Sequence, residues 1–566
     1  AGSTPVNPKD DDFWGNTITV INNFADKVLN LTLKDVKIDV SDTGDQYDWD
    51  QKGKAALSVQ GKGNVEIELD GDNELKSGTQ RAGLEKTSTG TLTLKDDNKE
   101  AGSLTATGGF NSAGIGGGYL GDGRDITITG GTVTATGGRL GAGIGGGREG
   151  KGENITITGG TVEATGYFGG AGIGGGNSDS DGENITITGG SVTAFGGEWA
   201  AGIGGGNGGS GNNITITGGT VNTTGGDGGA GIGGGAEGGG GNNIIIKGGT
   251  VTATGGGNRG DGGAGIGGGS GGSLENITIN GGKVTATGGS YGAGIGGGSV
   301  SQWGGESGSG KNITINGGTV NATGTDGGAG IGGGENGNGE DITINGGKVN
   351  ASGAYGGAGI GGGVNGIGSK VTVSGAAQVT ATATGSGPDW SGVGTGATIG
   401  NGGSKTPDGP VDGKEIQADI SGLTTGYIHH IIYNPDLDLD GKPDGILKEW
   451  WEFALPKPIP DGESLDLHVE TLKGAPLPFN TRQQGSTLRV TTDNLSARLH
   501  GTRQALETLQ EQGVEQIQFV TTLKTTTLSV EDLLAEGGSW FALEHDGLGS
   551  RRLSAAQAES LKCWRH

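Results

Sequence analysis

The sequence predicts an all-β solenoid, a parallel β-helix of about 29 residues per coil, followed by a smaller α+β module. The hexapeptide AGIGGG at residues 113–118 returns intact at Ala142, Ala171, Ala201, Ala230, Ala264, Ala293, Ala329 and Ala358. The spacings are 29, 29, 30, 29, 34, 29, 36 and 29 residues, which is the signature of stacked repeats. Each copy is followed by two runs in which Thr or Asn alternates with Ile, Val or Ala, such as 126–129 (ITIT) and 132–136 (TVTAT). That period of two belongs to a half-buried strand. A change of composition after Gly403 marks the second part of the chain.

Alternation assigns the faces. Ile155, Ile157, Val162 and Ala164 point inward, whereas Thr156, Thr158, Thr161, Glu163 and Thr165 point outward. One coil buries too little to stand alone, so stability must come from stacking like on like. Excess glycine without a period reads as disorder, and the period rejects that reading here. The glycines suit a third side with a sharp corner, where neighbouring backbones approach closely. Asp125, Asn154, Asn184, Asn213, Asn243, Asn276, Asn312 and Asp341 all precede the first strand of their unit. This spacing predicts a corner ladder of stacked amides and carboxylates. Several also read as Asn-x-Thr sequons, and the ladder is preferred because a sequon needs exposure.

Residues 1–16 read as a polar lead-in whose start resembles a mature terminus left by signal-peptide cleavage. Residues 17–81 keep the strand period without the glycines and read as capping coils. The repeats run from 82, where Ala82-Gly-Leu-Glu is a degenerate hexapeptide, to 403, where the segment from Ala397 is a worn tenth copy. The longer units carry their extra residues at 257–262 and 299–303, which read as surface loops. Pro and Gly at 404–412 indicate a linker. In 413–566 aromatics cluster at Tyr427, Tyr433, Trp450, Trp451 and Phe453. There the segment 502–512 has helical spacing with Leu506 and Leu509 on one side, among strand-like runs at 488–490, 517–520 and 540–543, which indicates an α+β module.

A formal charge of −25 argues against nucleic acid and an anionic membrane surface, and no apolar run reaches the 18 residues of a membrane span. A single cysteine, Cys563, excludes an internal disulfide framework. Asp436, Asp438, Asp440 and Asp444 stand at positions 1, 3, 5 and 9 of a calcium-type loop with Gly441 at position 6. A hard cation wants such carboxylates, although position 12 is Leu447, so structural calcium is weighed against a solvated acidic turn.

The turn before the hexapeptide carries Phe110, Leu140, Phe168, Trp199, Tyr291 and Tyr355. An aromatic row down one edge would stack on sugar rings, the alternative being rings folded over glycine as a shield; Trp303 and Trp390 could extend the surface. The ligand residues expected on this reading are Phe110, Phe168, Trp199, Tyr291 and Tyr355. Thr132, Thr134 and Thr136, with Thr250, Thr252 and Thr254, offer an ice-binding plane instead. Glu163, Phe195, Asn222, Lys283, Asn321 and Lys348 interrupt it. Catalysis of polysaccharide cleavage finds no paired carboxylates on the outward strand positions.

The unit AGIGGG, NITI, GGTVTATGG resembles the glycine-rich repeats of large secreted or surface proteins of Gram-positive bacteria, over about residues 82–403. The resemblance implies extracellular display and carbohydrate-binding or adhesin-like roles, with no catalytic residue to carry over. The sequence thus points to a surface adhesin or stalk that binds a polysaccharide or a host or cell-surface glycan along its aromatic edge, or that simply projects another domain. The alternative is a structural subunit that self-associates into a filament or matrix.

Overall fold

The computed structural model describes residues 8–10, 13–48, 50–98, 100–257, 260–300, 307–385, 393–435, 445–453 and 466–561. They fall into two compact units, residues 1–419 with 428–451, and residues 420–427 with 452–566.

The first unit is a parallel β-solenoid of about 14 turns. Two long strands per coil build its outer faces, and they stack on the next coil without a shift in register. Ile126, Thr127 and Ile128 pair with Ile155, Thr156 and Ile157. On the other face Val133 and Ala135 pair with Val162 and Ala164. The alternation therefore sorts as expected: Ile126, Ile128, Val133 and Ala135 are fully buried, and the Thr positions between them face outward. Stacking lines identical β-branched side chains above one another at about 4.8 Å per coil, and this repetition builds a core that no single coil could provide.

The hexapeptide is more than a corner. Ala113 N donates to Gly117 O at 2.9 Å, and the same bond recurs at Ala142–Gly146, Ala201–Gly205 and Ala358–Gly362. The segment is thus pinched into an arch with a fully buried Ile115. Ile115–Gly116 and its counterparts ladder between coils in a 13-stranded sheet, as strands two residues long within the repeats. A Cβ on Gly114 would lie 2.6 Å from Thr136 N, so the arch is pressed against the end of a neighbouring strand. The turns on either side then bond to each other across coils, with Arg148 N donating to Asn111 O (3.0 Å) and Ala236 N to Trp199 O (2.8 Å). This joins the two turns into a continuous layer along the solenoid.

The corner ladder is present. Asn154 Nδ2 donates to Asp125 Oδ1 (3.0 Å), Asn184 to Asn154, Asn213 to Asn184 and Asn243 to Asn213 (each 3.2 Å). All five take φ between +54° and +56°, where Asn and Asp are tolerated better than other residues with side chains. The ladder asparagines Asn154, Asn184, Asn213 and Asn243 are nevertheless exposed.

The two ends of the solenoid differ. At the N-terminal end, the strands Ile18–Asn22 and Val28–Lys34 each pair on one side only among the described residues. Leu29 and Leu31 are accordingly only half-buried. At the C-terminal end the edges are closed. In earlier coils Gly114 N and Ile115 N donate to carbonyls of the next coil; in the last, Thr398 N (2.6 Å) and Ile399 N (3.1 Å) donate to the Glu415 carboxylate. Asp419 and Val371–Val373 exchange backbone bonds beside it, and the strand Tyr427–Tyr433 pairs with Gln378–Thr384. Where the sequence suggests a linker, Ser404–Thr406 and Gly409–Val411 form a short antiparallel hairpin inside this unit.

Among the described residues the second unit holds two four-stranded sheets. One is antiparallel, Leu467–Glu470, Ser496–Thr502, Trp540–Asp546 and Gly549–Leu553; the other is mixed, Asn480–Gln484, Thr487–Thr491, Gln516–Val520 and Thr525–Ser529. The helix Arg503–Glu511 is capped by the Thr502 hydroxyl, which accepts from Ala505 N, and it contributes Leu506 and Leu509 to the core that also holds Val490, Leu499 and Phe519.

Candidate functional site

Counted back from the alanine of the hexapeptide, Trp199 and Tyr291 stand two places before it, and Phe110, Phe168 and Tyr355 stand three. The five aromatics therefore share one turn but two adjacent positions. The nearer position is left-handed in Leu140 (φ 71°), Trp199 (71°) and Tyr291 (63°), and the farther one is left-handed in Phe168 and Tyr355. All five are half-buried.

They form two groups. In four consecutive coils Phe110, Arg139, Phe168 and Trp199 stack in a column. The Arg139 guanidinium carbon lies 5.8 Å from the centre of the Phe110 ring and 5.1 Å from that of Phe168. The Phe168 and Trp199 rings meet edge to face at 4.9 Å and 70°. The next coil carries Asp227 and Gly228 in this turn, and the one after carries the 257–262 insertion. Tyr291 and Tyr355 then follow around Asp326. Burial first, and then the carboxylates of Glu335 and Asp326, raise the Tyr291 hydroxyl above its ordinary pKa. Ser290 Oγ donates to Asp326 Oδ2 at 3.0 Å, and burial also raises the Glu335 carboxyl.

Two aromatics escape the sequence argument. Tyr167, beside Phe168, is 58% exposed, and Phe195, at the end of the strand Ser191–Phe195, is 40% exposed. Phe195 enters the sequence reading only as a break in the threonine rows; its outward strand position is the signal for it. Those rows are in register, Thr136, Thr165, Phe195, Thr224 and Thr254, and Phe195 interrupts them.

Asp436, Asp438, Asp440 and Asp444 lie outside the described residues, as do Trp303 and Trp390. Among the described residues no group of three His, Cys, Asp or Glu is placed to hold a metal ion.

Two other polar clusters are internal supports. Thr398 Oγ1 lies 2.6 Å from His430 Nδ1 and 2.9 Å from Glu415 Oε1. If Thr398 donates to the carboxylate, His430 must donate through Nδ1–H, which fixes its neutral tautomer. Burial, then His429 and Lys448, lower the His430 pKa to about 4. Thr398 and His430 are sealed from solvent, so this constellation closes a sheet. In the second unit Leu472, Arg498, Glu544, Asp546, Gly549, Ser550 and Arg551 line a cleft of about 490 Å³. Arg498 donates to Glu544 through Nε (2.9 Å) and Nη2 (2.7 Å), to Glu470 through Nη1 (2.9 Å) and to Leu472 O through Nη2 (2.9 Å). Burial pushes Glu544 up, and the bonds from Arg551 and Arg498 outweigh it, leaving its pKa below the carboxylate norm.

No helix among the described residues is long and apolar enough to cross a membrane. The family described as beta helix repeat matches residues 100–119, 126–148, 155–177, 185–207, 214–236, 244–270, 277–299, 313–335 and 342–364. No curated protein and no solved structure matches the chain. The family match and the parallel ladders agree that residues 100–364 are an array of β-helix repeats.

Proposed function

We propose that the solenoid belongs to an extracellular surface or structural protein and binds polysaccharide along the edge formed by Phe110, Phe168 and Trp199, with Tyr291 and Tyr355 as a second contact. The observation that carries this reading is the aromatic group on consecutive coils, flanked by the exposed rings of Tyr167 and Phe195. A turn built mainly of glycine needs no large side chain to close it. Rings in three of four consecutive coils give repeated shallow contacts, each weak, that add up along an extended polymer. The half-burial of Phe168 and Trp199 fixes their orientation, so little side-chain entropy is lost on binding.

The test is a polymer-binding screen of the intact protein beside Trp199→Ala. That variant should weaken binding to a polymeric glycan while altering stability by no more than about 1 kcal/mol, as a change away from the core does. Strong destabilisation with unchanged binding would identify the rings as a shield over the turn.

One observation favours a second reading, self-association. The strands Ile18–Asn22 and Val28–Lys34 offer outer edges to another chain, with Ile21, Phe24 and Val28 exposed beside them. Negative-stain images of end-to-end particles would support it.

A further inference from the structure

We infer that the polymer taken by this edge is an acidic polysaccharide whose carboxylate or sulfate groups are bound by Arg139. This rests on the glycan reading above and names its ligand class. The argument starts from the charge of the chain, 62 acidic residues against 37 basic ones. In so acidic a protein an exposed basic side chain would be expected to find a carboxylate, and several arginines and lysines on the same solenoid do. Arg124 pairs with Asp122 and Glu153, Arg148 with Glu149, Lys151 with Asp181 and Glu183, and Lys370 with Glu340. Arg139 forms no ion pair among the described residues. It is held instead between the rings of Phe110 and Phe168.

That setting leaves the guanidinium available. Its attraction to the rings comes from the charge over their faces and uses none of its five N–H donors. Arg139 is exposed, and its contact with the two rings restricts the side chain in advance, so the forked donors are presented to solvent at reduced entropic cost. A planar, exposed guanidinium with no ion pair among the described residues matches the two oxygens of a carboxylate or sulfate. The adjoining rings of Phe168 and Trp199 then cover the sugar itself. Glu149, the acid that follows Arg148, is already engaged at 3.3 Å, and Glu198 sits beside Trp199 at the far end of the column. The net charge of the molecule does not forbid an anionic ligand, because exposed charges are largely screened beyond about 10 Å at 0.1 M salt.

The experiment measures binding of the full chain to polygalacturonate and to its methyl-esterified, neutral form, and to dextran sulfate and plain dextran. The variants are Arg139→Gln, Arg139→Lys and Trp199→Ala. We expect the charged member of at least one pair to bind more tightly. Arg139→Gln should then weaken that member roughly tenfold or more, the value of one charge-assisted contact, and leave the neutral member unchanged. Arg139→Lys should restore part of the loss, since it returns the charge without the fork. Trp199→Ala should weaken charged and neutral members alike. Preference within the polygalacturonate pair identifies a carboxylate ligand, and preference within the dextran pair a sulfate. Equal binding within both pairs, unaffected by Arg139→Gln, overturns the role of Arg139 and leaves the aromatic edge standing. Absence of binding to all four polymers overturns both.

Discussion

At Gly145 the backbone takes φ of +137°, and a Cβ there would sit 2.0 Å from Gly174 O in the next coil. Two penalties coincide, a conformation that side chains avoid and a clash with backbone that cannot rotate away. Gly238 makes the contrast, because it also has positive φ, +94°, yet nothing lies within 4 Å of its Cβ position. Gly145→Ala should therefore cost about 3 kcal/mol or more, and Gly238→Ala about 1 kcal/mol, the strain alone. Hydrogen exchange reads the difference locally: faster exchange of the Gly146 and Gly172–Gly174 amides is expected in the first variant only. His430 supplies a pH dependence. Its pKa is about 4 when folded against an ordinary 6.5, so between these values the unfolded chain takes up a proton that the folded chain refuses. Stability from this group is complete above pH 6.5 and falls away as the pH drops toward 4, by about 3 kcal/mol in all. His430→Gln, with no proton to bind, should flatten the slope of denaturation midpoint against pH in that window.

At the scale of the element, alternation made the strands readable, because side chains that point in and out leave a period of two whatever the tertiary setting. Val133 and Ala135 are buried and Thr132 exposed for the reason the pattern states. The hexapeptide gave its period but not its shape. The arch is drawn by backbone bonds such as Ala113 N to Gly117 O, and glycine has no side chain whose spacing could announce them. The Asn ladder was readable because left-handed corners restrict the residue type. The column of Phe110, Arg139, Phe168 and Trp199 was readable only in part. Its aromatics are visible in the sequence, but Arg139 joins them through the register of three successive turns, a long-range property. Glu415 is likewise one acid among many until the last coil shows two N–H groups with no further strand to receive them.

The whole molecule combines two kinds of stability. In the solenoid each coil touches its neighbours alone, so energy is a sum of like interfaces and local damage stays local. The second unit has a main core around Leu499 and Phe519, a smaller cluster of Ala542, Leu553 and Ala558, and beside them a charged network centred on one residue. Arg498 bridges Glu470 and Glu544, all three nearly excluded from water. Arg498→Met fills similar space but leaves two buried carboxylates facing the vacated centre. Arg551 still reaches Glu544 at 2.6 Å, whereas Glu470 loses the charged contact with Arg498. Removing one partner of a buried ion pair costs about 3–5 kcal/mol, which in a unit of this size lowers the melting temperature by roughly 10 °C or more. Calorimetry should show the transition of the second unit moving down while that of the solenoid stays in place. Adding Glu470→Leu and Glu544→Leu to Arg498→Met should recover most of the loss, since an apolar replacement leaves no charge stranded. If the single variant melts like the parent, the network lies on a wetter surface than its geometry indicates, and the second unit owes its stability to its hydrophobic clusters, the larger around Leu499 and Phe519.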